Sequence, residues 1–187
     1  DENGVILIDL GNGSSNEEDI QNVKTIVNSM TGDKPLSIII THNHGDHTGF
    51  GRSEEVFADV NVEKVYISEP DYDGAKEALS QFSDIIETVD DNKEVTIYGT
   101  TYTFNIVGAH TEGSLMITDK THKALYTGDT FGSGFIWALW DTNNGNPLAA
   151  LNDGVAKART ILNENPDLAI LAGHRWQQFW ENNAQRP

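Results

Sequence analysis

Residues 36–47 read Leu-Ser-Ile-Ile-Ile-Thr-His-Asn-His-Gly-Asp-His, and most of what the sequence predicts follows from this stretch. Its first half is an apolar run after Pro35, which predicts a fully buried strand over Leu36–Ile40. Its second half places three imidazoles and one carboxylate within six residues. Side chains at these spacings cannot all lie on one face of a strand. The chain must therefore leave the sheet at Thr41.

The polar residues of this stretch, His42, His44, Asp46 and His47, are all potential metal ligands. Imidazole and carboxylate suit zinc, iron or manganese, and one tetrahedral zinc ion needs only about three or four ligands. A loop that folds back at Gly45 can aim different side chains at two neighbouring ions, because glycine permits a tight backbone path. We therefore predict a site for two ions. A His-rich surface turn or a mononuclear site is the alternative.

Further strand ends carry potential ligands. His110, Asp129 and His174 each follow a segment with the apolar pattern of a strand. Strand ends at one edge of a sheet are where α/β proteins gather their active sites, so these residues join the candidate ligands. The sixth histidine, His122, lies in a polar turn and is predicted to have no special role.

The composition limits the classes of partner. The chain has 187 residues, 37% of them hydrophobic, which predicts a single domain over residues 1–187 with a sizeable core. Its formal net charge of −17 argues against a nucleic acid partner, since such binding depends on Lys and Arg neutralising phosphates. No apolar run approaches the length of a membrane span, so the expected partner is a small-molecule substrate. The absence of cysteine is compatible with the cytoplasm and with secretion or the cell surface, and no oligomeric state is predicted.

Helix positions follow from caps and apolar spacing. Ser15 and Glu18 predict a capping box for a first helix that ends at Gly32. Asn146-Pro147 predicts the start of a late helix. The apolar stripes of these two helices are Ile20, Val23, Val27 and Met30 in the first, and Leu148, Leu151, Val155 and Leu162 in the second.

Taken together, the candidate ligands resemble those of the metallo-β-lactamase superfamily in order and spacing. An early Ile8-Asp9-Leu10-Gly11 segment is also similar to an Asp-x-Gly strand end of that family. The resemblance covers Val5–His174. The residues that carry it are the run His42-x-His44-x-Asp46-His47, His110 before Thr-x-Gly-Ser, Asp129 within Thr-Gly-Asp-Thr, and Gly173-His174.

The resemblance implies an α+β fold, an αβ/βα four-layer sandwich of two packed mixed β-sheets flanked by helices. In that family further strands precede the Asp9 strand, so this chain is expected to lack some N-terminal strands of the full fold. The implied ligand sets are His42, His44 and His110 for a first ion, Asp46, His47 and His174 for a second, and Asp129 as the bridge. Zinc is the expected metal, with iron or manganese as alternatives.

The resemblance also implies a metallohydrolase whose nucleophile is a hydroxide shared by the two ions, because bound cations lower the pKa of water towards neutrality. Asp46 and Asp129 would be the catalytic carboxylates, with Asp46 orienting the water. Asp9 would lie behind the ligands and fix one of them by a hydrogen bond, although an Asp that caps a turn before Gly11 explains the same residue.

An aspartate at position 129 and the absence of cysteine resemble the glyoxalase II and lactonase branch of the family, and differ from the true β-lactamases. The expected substrate is a carboxylic ester, lactone or thioester. A phosphoric or sulfuric ester is the first alternative, and a non-catalytic metal-binding surface module is the second.

Four residues are predicted to border the substrate pocket. Phe50 and Arg52 follow the metal-ligand run directly, and Phe131 and Trp137 follow Asp129 within a Gly-rich aromatic segment. The alternatives are that the aromatic residues fill the core and that Arg52 only begins the next helix.

Overall fold

The structure is a computed structural model that describes residues 2–131 and 146–174. Trp137, one of the predicted pocket residues, lies outside the described residues. The chain divides into two compact units, Asp1–Val89 with Thr96–Thr100, and Asp90–Val95 with Thr101–Pro187. The single domain over residues 1–187 stays a prediction.

The first unit is built on a sheet of four parallel strands in the order β1-β2-β3-β4. The strands are β1 (Val5–Ile8), β2 (Leu36–Ile39), β3 (Val62–Ser68) and β4 (Ile86–Val89). Helical segments connect them: α1 (Glu17–Thr31), α2 (Gly45–Thr48), α3 (Glu54–Phe57) and α4 (Glu69–Ala75), with 3₁₀ turns at Gly49–Arg52 and Ser80–Ile85.

The buried strand predicted over Leu36–Ile40 is confirmed. Every residue of β2 is buried, and the ladder continues to Ile40, whose N–H donates to the Tyr66 carbonyl at 2.8 Å. Strands of parallel sheets covered on both faces have continuous apolar runs, which is the pattern found here. The strand thus delivers the chain to Thr41 at the carboxyl edge of the sheet.

Two details of helix α1 differ from the prediction. Its N-cap is Asn16, whose side chain accepts a hydrogen bond from the Glu18 N–H at 3.0 Å, so the cap lies one residue beyond Ser15. Met30 is 57% exposed and does not belong to the buried face. The helix ends before Gly32, as predicted, with the glycine at a φ of 53°. Local spacing located this helix but not the residue that caps it.

The sequence also predicts one helix after Pro70 that contains Ala75, Ala78, Leu79 and Phe82, and the structure contradicts this prediction. Helix α4 ends at Ala75, and a 3₁₀ turn over Ser80–Ile85 follows it. Strand β4 then pairs with β3 in parallel, and no strand was predicted there.

The second sheet has five strands in the order β5-β6-β7-β8-β9. They are β5 (Lys93–Ile97), β6 (Thr100–Ile106), β7 (Leu115–Asp119), β8 (Ala124–Gly128) and β9 (Ala169–Ala172), and helix α5 spans Pro147–Glu164. The pairs β6–β7 and β7–β8 are antiparallel, whereas β8–β9 is parallel, so this sheet is mixed.

Helix α5 starts at Pro147 as predicted, and its N-cap Asn146 accepts a hydrogen bond from the Ala149 N–H. Its buried face matches the predicted stripe only in part. Leu162 packs against a core cluster of the second unit that contains the buried Ala158 and Ile161, whereas Leu148 is 74% exposed. The backbone of α5 comes close to its neighbours at Gly154, where a Cβ would lie 2.6 Å from Cβ of Ala109.

The α+β class and the two sheets with helices are confirmed. The prediction that both sheets are mixed is wrong for the first one, which is parallel throughout its four described strands. Helical crossovers between successive strands return the chain in the same direction, and this explains the difference. Within residues 2–131 and 146–174, no helix combines the length and the apolar character needed to cross a membrane.

Candidate metal centre

The chain leaves the first sheet after Ile40 and enters residues 41–47, which we call the metal loop. His44 has an extended backbone at φ −67° and ψ 150° and precedes the single turn of α2. The His44 carbonyl accepts hydrogen bonds from the N–H groups of His47 and Thr48 at 3.0 and 3.1 Å. The loop thus folds back on itself, as its spacing predicted, and brings the second half of the motif beside the first.

The three histidines of the metal loop lie against one another. The ring centroids of His42 and His44 are 4.8 Å apart, and those of His42 and His47 are 4.0 Å apart. A carboxylate oxygen of Asp46 lies 3.7 Å from Nε2 of His47. His42 and His47 are buried. Closely packed imidazoles beside a carboxylate form a donor set that suits a divalent cation.

Asp9 organises this loop from the end of β1. Its Oδ1 accepts the Thr41 N–H at 2.7 Å, and its Oδ2 accepts the Thr41 hydroxyl at 2.8 Å and His47 Nδ1 at 2.7 Å. The backbone of Asp9 is left-handed, with a φ of 61°. For a non-glycine residue this conformation costs about 1–3 kcal/mol and persists only where its surroundings impose it.

These contacts determine the protonation of two rings. A carboxylate only accepts hydrogen bonds, so His47 carries a proton on Nδ1, and Nε2 is the atom left for a metal ion. The Thr41 hydroxyl donates to Asp9, and its oxygen therefore accepts from Nδ1 of His42, at 3.0 Å. His42 thus also presents an Nε2 lone pair. Such second partners fix the tautomer and orientation of metal-binding histidines.

In the second unit, Asp129 follows β8 and His174 follows β9. These strands run parallel, and the Gly173 N–H donates to the Gly128 carbonyl at 2.7 Å, so both side chains emerge at the same edge. Oδ2 of Asp129 lies 3.0 Å from Nε2 of His174 and 3.8 Å from Nε2 of His110. One carboxylate oxygen therefore faces two imidazole nitrogens, as expected of a ligand shared between cations.

Every predicted ligand lies among other donors of its own unit. His42 with His44, Asp46 with His47, and Asp129 with His174 each offer ligand atoms within 4.8 Å of one another. The donors are the neutral nitrogen and carboxylate oxygen groups that zinc and iron accept, so the residues fit divalent metal ions. These His and Asp groups are consistent with a dinuclear site.

The predicted pocket residues fall on two separate cavities. Phe50 and Arg52 line a cavity of about 470 Å³ in the first unit, together with residues 12–15 and Ser53. Phe131 lines an apolar cavity of about 300 Å³ in the second unit, against Met116 and helix α5. The described lining of either cavity contains no candidate metal ligand.

Two other residues bear on the site prediction. His122 lies in the turn after β7, as predicted from the sequence. It is half exposed, and its Nδ1 lies 2.7 Å from a carboxylate oxygen of Asp119.

The sequence analysis did not identify Asp71, whose Oδ2 accepts the Asn43 N–H of the metal loop at 3.0 Å. The sequence carries no signal for this contact, because an acidic residue in the first turn of a helix is ordinary.

The model of the metallo-β-lactamase superfamily matches residues 1–174. No curated protein matches the sequence at a significant level. The solved structures that share the fold at low identity include the following three. TTHA1623, in a di-iron-bound form, is 21% identical over 89% of this chain and 80% of its own, with a TM-score of 0.59. A β-lactamase domain protein from Burkholderia ambifaria is 16% identical over 92% and 62%, with a TM-score of 0.68.

The third solved structure is ETHE1 from Myxococcus xanthus, 20% identical over 90% of this chain and 64% of its own, with a TM-score of 0.63. Identities this low show a common fold and leave activity open. The family model spans nearly the whole chain, and the candidate ligands lie within its match. This protein belongs to the metallo-β-lactamase superfamily.

Proposed function

We propose that this protein is a metal-dependent hydrolase that cleaves a small carboxylic ester, lactone or thioester at a dinuclear site. The observation that carries the proposal is the orientation of the donor atoms. His42 and His47 have their Nδ1 atoms engaged by Thr41 and Asp9, which leaves Nε2 of each ring for a metal ion. The ligand atoms of His42 and His44, and those of Asp46 and His47, lie within 4.8 Å of each other. Pre-oriented neutral imidazoles are what a metal site requires and what a surface turn does not.

In this proposal each ligand keeps the role that the family pattern gives it. The first ion takes His42, His44 and His110, the second takes Asp46, His47 and His174, and Asp129 is shared. Bound ions would supply a hydroxide nucleophile near neutral pH and polarise the bond that is attacked. Zinc is our first expectation for this donor set, and the di-iron form of TTHA1623 makes iron the main alternative.

The carboxylates supply the remaining chemistry. Asp129 directs one oxygen at two imidazole nitrogens, which supports its role as the shared ligand. Asp46 is partly exposed and lies beside His47, which supports the proposed role of Asp46 in orienting the attacking water. Asp9 holds His47 and Thr41 from behind and keeps the ring of His47 in one orientation.

The cavity at Phe50 and Arg52 supports a substrate with an anionic substituent. Its other polar lining includes the hydroxyls of Ser15 and Ser53. Arg52 forms no ion pair within the described part of the chain, although the protein has a formal net charge of −17. A guanidinium beside hydroxyl donors binds carboxylate, phosphate or sulfate groups. The same lining favours the second candidate function, hydrolysis of a phosphoric or sulfuric ester.

The cavity at Phe131 has a different character. Its lining is mainly apolar and includes Leu125 and Leu162. We propose that Phe131 contacts the apolar part of the substrate, while Trp137 stays a sequence-based proposal.

The test is metal analysis of protein purified without added metal, followed by a screen of chromogenic carboxylic, phosphoric and sulfuric esters with and without EDTA. We expect close to two ions per chain and EDTA-sensitive turnover of one ester class. Two bound ions without turnover of any ester would instead favour a non-catalytic metal-binding module. Absence of bound metal after reconstitution with zinc and with iron would contradict the metal site itself.

A further inference from the structure

We infer that Asp71 is a positioning residue for the metal loop, and that its buried carboxylate holds the backbone between His42 and His44 in the geometry that binds metal. The inference rests on the proposed metal site. It concerns a residue of helix α4 that the family pattern does not include.

Asp71 is only 1% exposed, and its Oδ2 accepts the Asn43 N–H at 3.0 Å. A carboxylate is costly to bury unless hydrogen bonds compensate for the lost water. A hydrogen bond from a backbone N–H to an ionised carboxylate is shorter and stronger than one between neutral groups. Asp71 therefore anchors the one residue that separates the first two histidines of the metal loop.

The side chain of Asn43 is held by the same helix. A Cβ at Gly74 would lie 2.4 Å from Nδ2 of Asn43 and 3.0 Å from its Cγ. Real atoms do not approach this closely, so the Asn43 side chain occupies space that only a glycine at position 74 leaves open. Helix α4 thus contacts Asn43 through both its backbone and its side chain.

Two carboxylates consequently act on alternate amides of the loop. Asp9 accepts the Thr41 N–H from the β1 side, and Asp71 accepts the Asn43 N–H from the α4 side. His42 lies between these two anchored amides and is itself buried. The position of its Cα is therefore set from both sides, and a shift at either anchor would move the imidazole away from its metal-binding position.

A purely structural role for Asp71 predicts a different outcome. An acidic residue in the first turn of α4 would stabilise the helix through its dipole, and its loss would lower stability without changing the metal site. Asp73 on the same helix provides the matched control. Its side chain is 85% exposed, and it pairs with Lys76 at 2.8 Å.

The experiment measures zinc affinity by competition with a chromophoric chelator, and the visible spectrum of the cobalt-substituted protein, for Asp71→Ala, Asp71→Asn and Asp73→Ala. We expect Asp71→Ala to weaken zinc binding by about 10–100-fold and to shift the cobalt absorption bands. Loss of a hydrogen-bonding residue that supports the metal ligands has an effect of this size in other metalloproteins. Asp71→Asn keeps an acceptor oxygen and should lose less. Asp73→Ala should match the wild type in both measurements.

A second set of variants keeps the inference testable if Asp71→Ala does not fold. Gly74→Ala should weaken zinc binding because its methyl group displaces the Asn43 side chain. In the double variant, with Asn43→Ala added to Gly74→Ala, much of the zinc affinity should return, because the alanine side chain at position 43 does not clash with the new methyl group. Two zinc ions bound with wild-type affinity and spectrum in Asp71→Asn and Gly74→Ala would overturn the role of Asp71 and leave the proposed function intact. A wild-type protein that binds neither zinc nor iron would instead contradict the proposed function.

Discussion

At the scale of single residues, the metal site depends on carboxylates that have distinct partners. Asp129 directs Oδ2 at His174 and His110, and Asp9 binds Thr41 and His47. Removing either carboxylate leaves nitrogen donors whose orientation was set by it. Their contributions therefore differ in kind: Asp129 would be lost as a ligand, whereas Asp9 would be lost as a support.

We predict that Asp129→Ala loses one or both ions and most of the hydrolytic activity, because the shared oxygen between the two imidazoles is removed. Metal content per chain and ester turnover measure both effects in one preparation. Asp167 is exposed and pairs with Lys123, so Asp167→Ala is the control and should leave metal content and turnover unchanged. Two ions and full turnover in Asp129→Ala would exclude the dinuclear mechanism.

A second residue-scale prediction concerns Asp9. Asn tolerates the left-handed backbone at φ 61°, so Asp9→Asn removes the charge without adding strain. Asp9→Ala would remove the charge and also strain the backbone. We expect Asp9→Asn to weaken zinc binding by about 10–100-fold, because His47 Nδ1 loses its anionic acceptor. Chelator competition gives the affinity. Equal zinc affinity in Asp9→Asn and the wild type would show that the Asp9 carboxylate only shapes the turn.

The third residue-scale prediction tests the cavity at Arg52. Arg52→Gln should raise KM for p-nitrophenyl hemisuccinate by about tenfold, the equivalent of about 1.4 kcal/mol, and leave KM for neutral p-nitrophenyl acetate unchanged. Lys123→Gln is the control, since Lys123 is an exposed cation that pairs with Asp167 and lines neither cavity. A parallel change for both esters in Arg52→Gln would rule out recognition of an anionic group at this position.

At the scale of secondary structure, caps and close packing decide where elements begin and end. Helix α1 is capped by Asn16, although the spacing of Ser15 and Glu18 matched a capping box equally well. Ser14 explains the difference in part, because its hydroxyl oxygen accepts the Asn16 N–H at 3.0 Å and donates to Asp19. A short polar network therefore selects the helix start among several residues that are chemically suited to cap it.

We predict that Asn16→Ala lowers the free energy of unfolding by about 1 kcal/mol, the usual cost of losing an N-cap. Ser15→Ala should change it by less than about 0.5 kcal/mol, as expected of an exposed residue outside the cap. Urea denaturation of the metal-free proteins gives both values. A larger loss of unfolding free energy in Ser15→Ala than in Asn16→Ala would show that Ser15 caps the helix, as the sequence predicted.

At the scale of the whole molecule, bound metal is expected to contribute to stability. A ligand that binds only the folded protein stabilises it by about 2.7 kcal/mol when its free concentration is about 100-fold above its dissociation constant. The candidate ligands of each unit follow its strands, so unfolding of a unit would disperse the donors that it contributes to the proposed site.

We therefore predict that EDTA lowers the unfolding temperature by several degrees and that zinc restores it. The His44→Ala variant should show a smaller shift, because it retains fewer ligands. Scanning calorimetry with and without zinc makes this measurement. An unfolding temperature that does not respond to EDTA would mean that the purified protein carries no structural metal.

Much of the fold and the candidate site could be predicted because the signals are local. The run Leu36–Ile40 is apolar except for Ser37, a pattern typical of a strand buried on both faces, and the structure confirms that the strand is buried. The polar run that follows contains its ligands within six residues, so its chemistry is visible without knowledge of the fold. The start of helix α5 at Pro147 also follows from a local cap.

The sequence by itself thus determined the type of chemistry, the family pattern and the strand that carries the metal loop, because these depend on residue types and short spacings. Only the tertiary structure placed Asp71 against Asn43 and Asp9 against Thr41, contacts that span 28 and 32 positions of the chain. It also decided that the first sheet is parallel and that Ala158 and Ile161, and not Leu148, lie on the buried face of α5. Contacts between distant residues leave no local pattern, since they depend on how strands and helices pack rather than on the residues beside them.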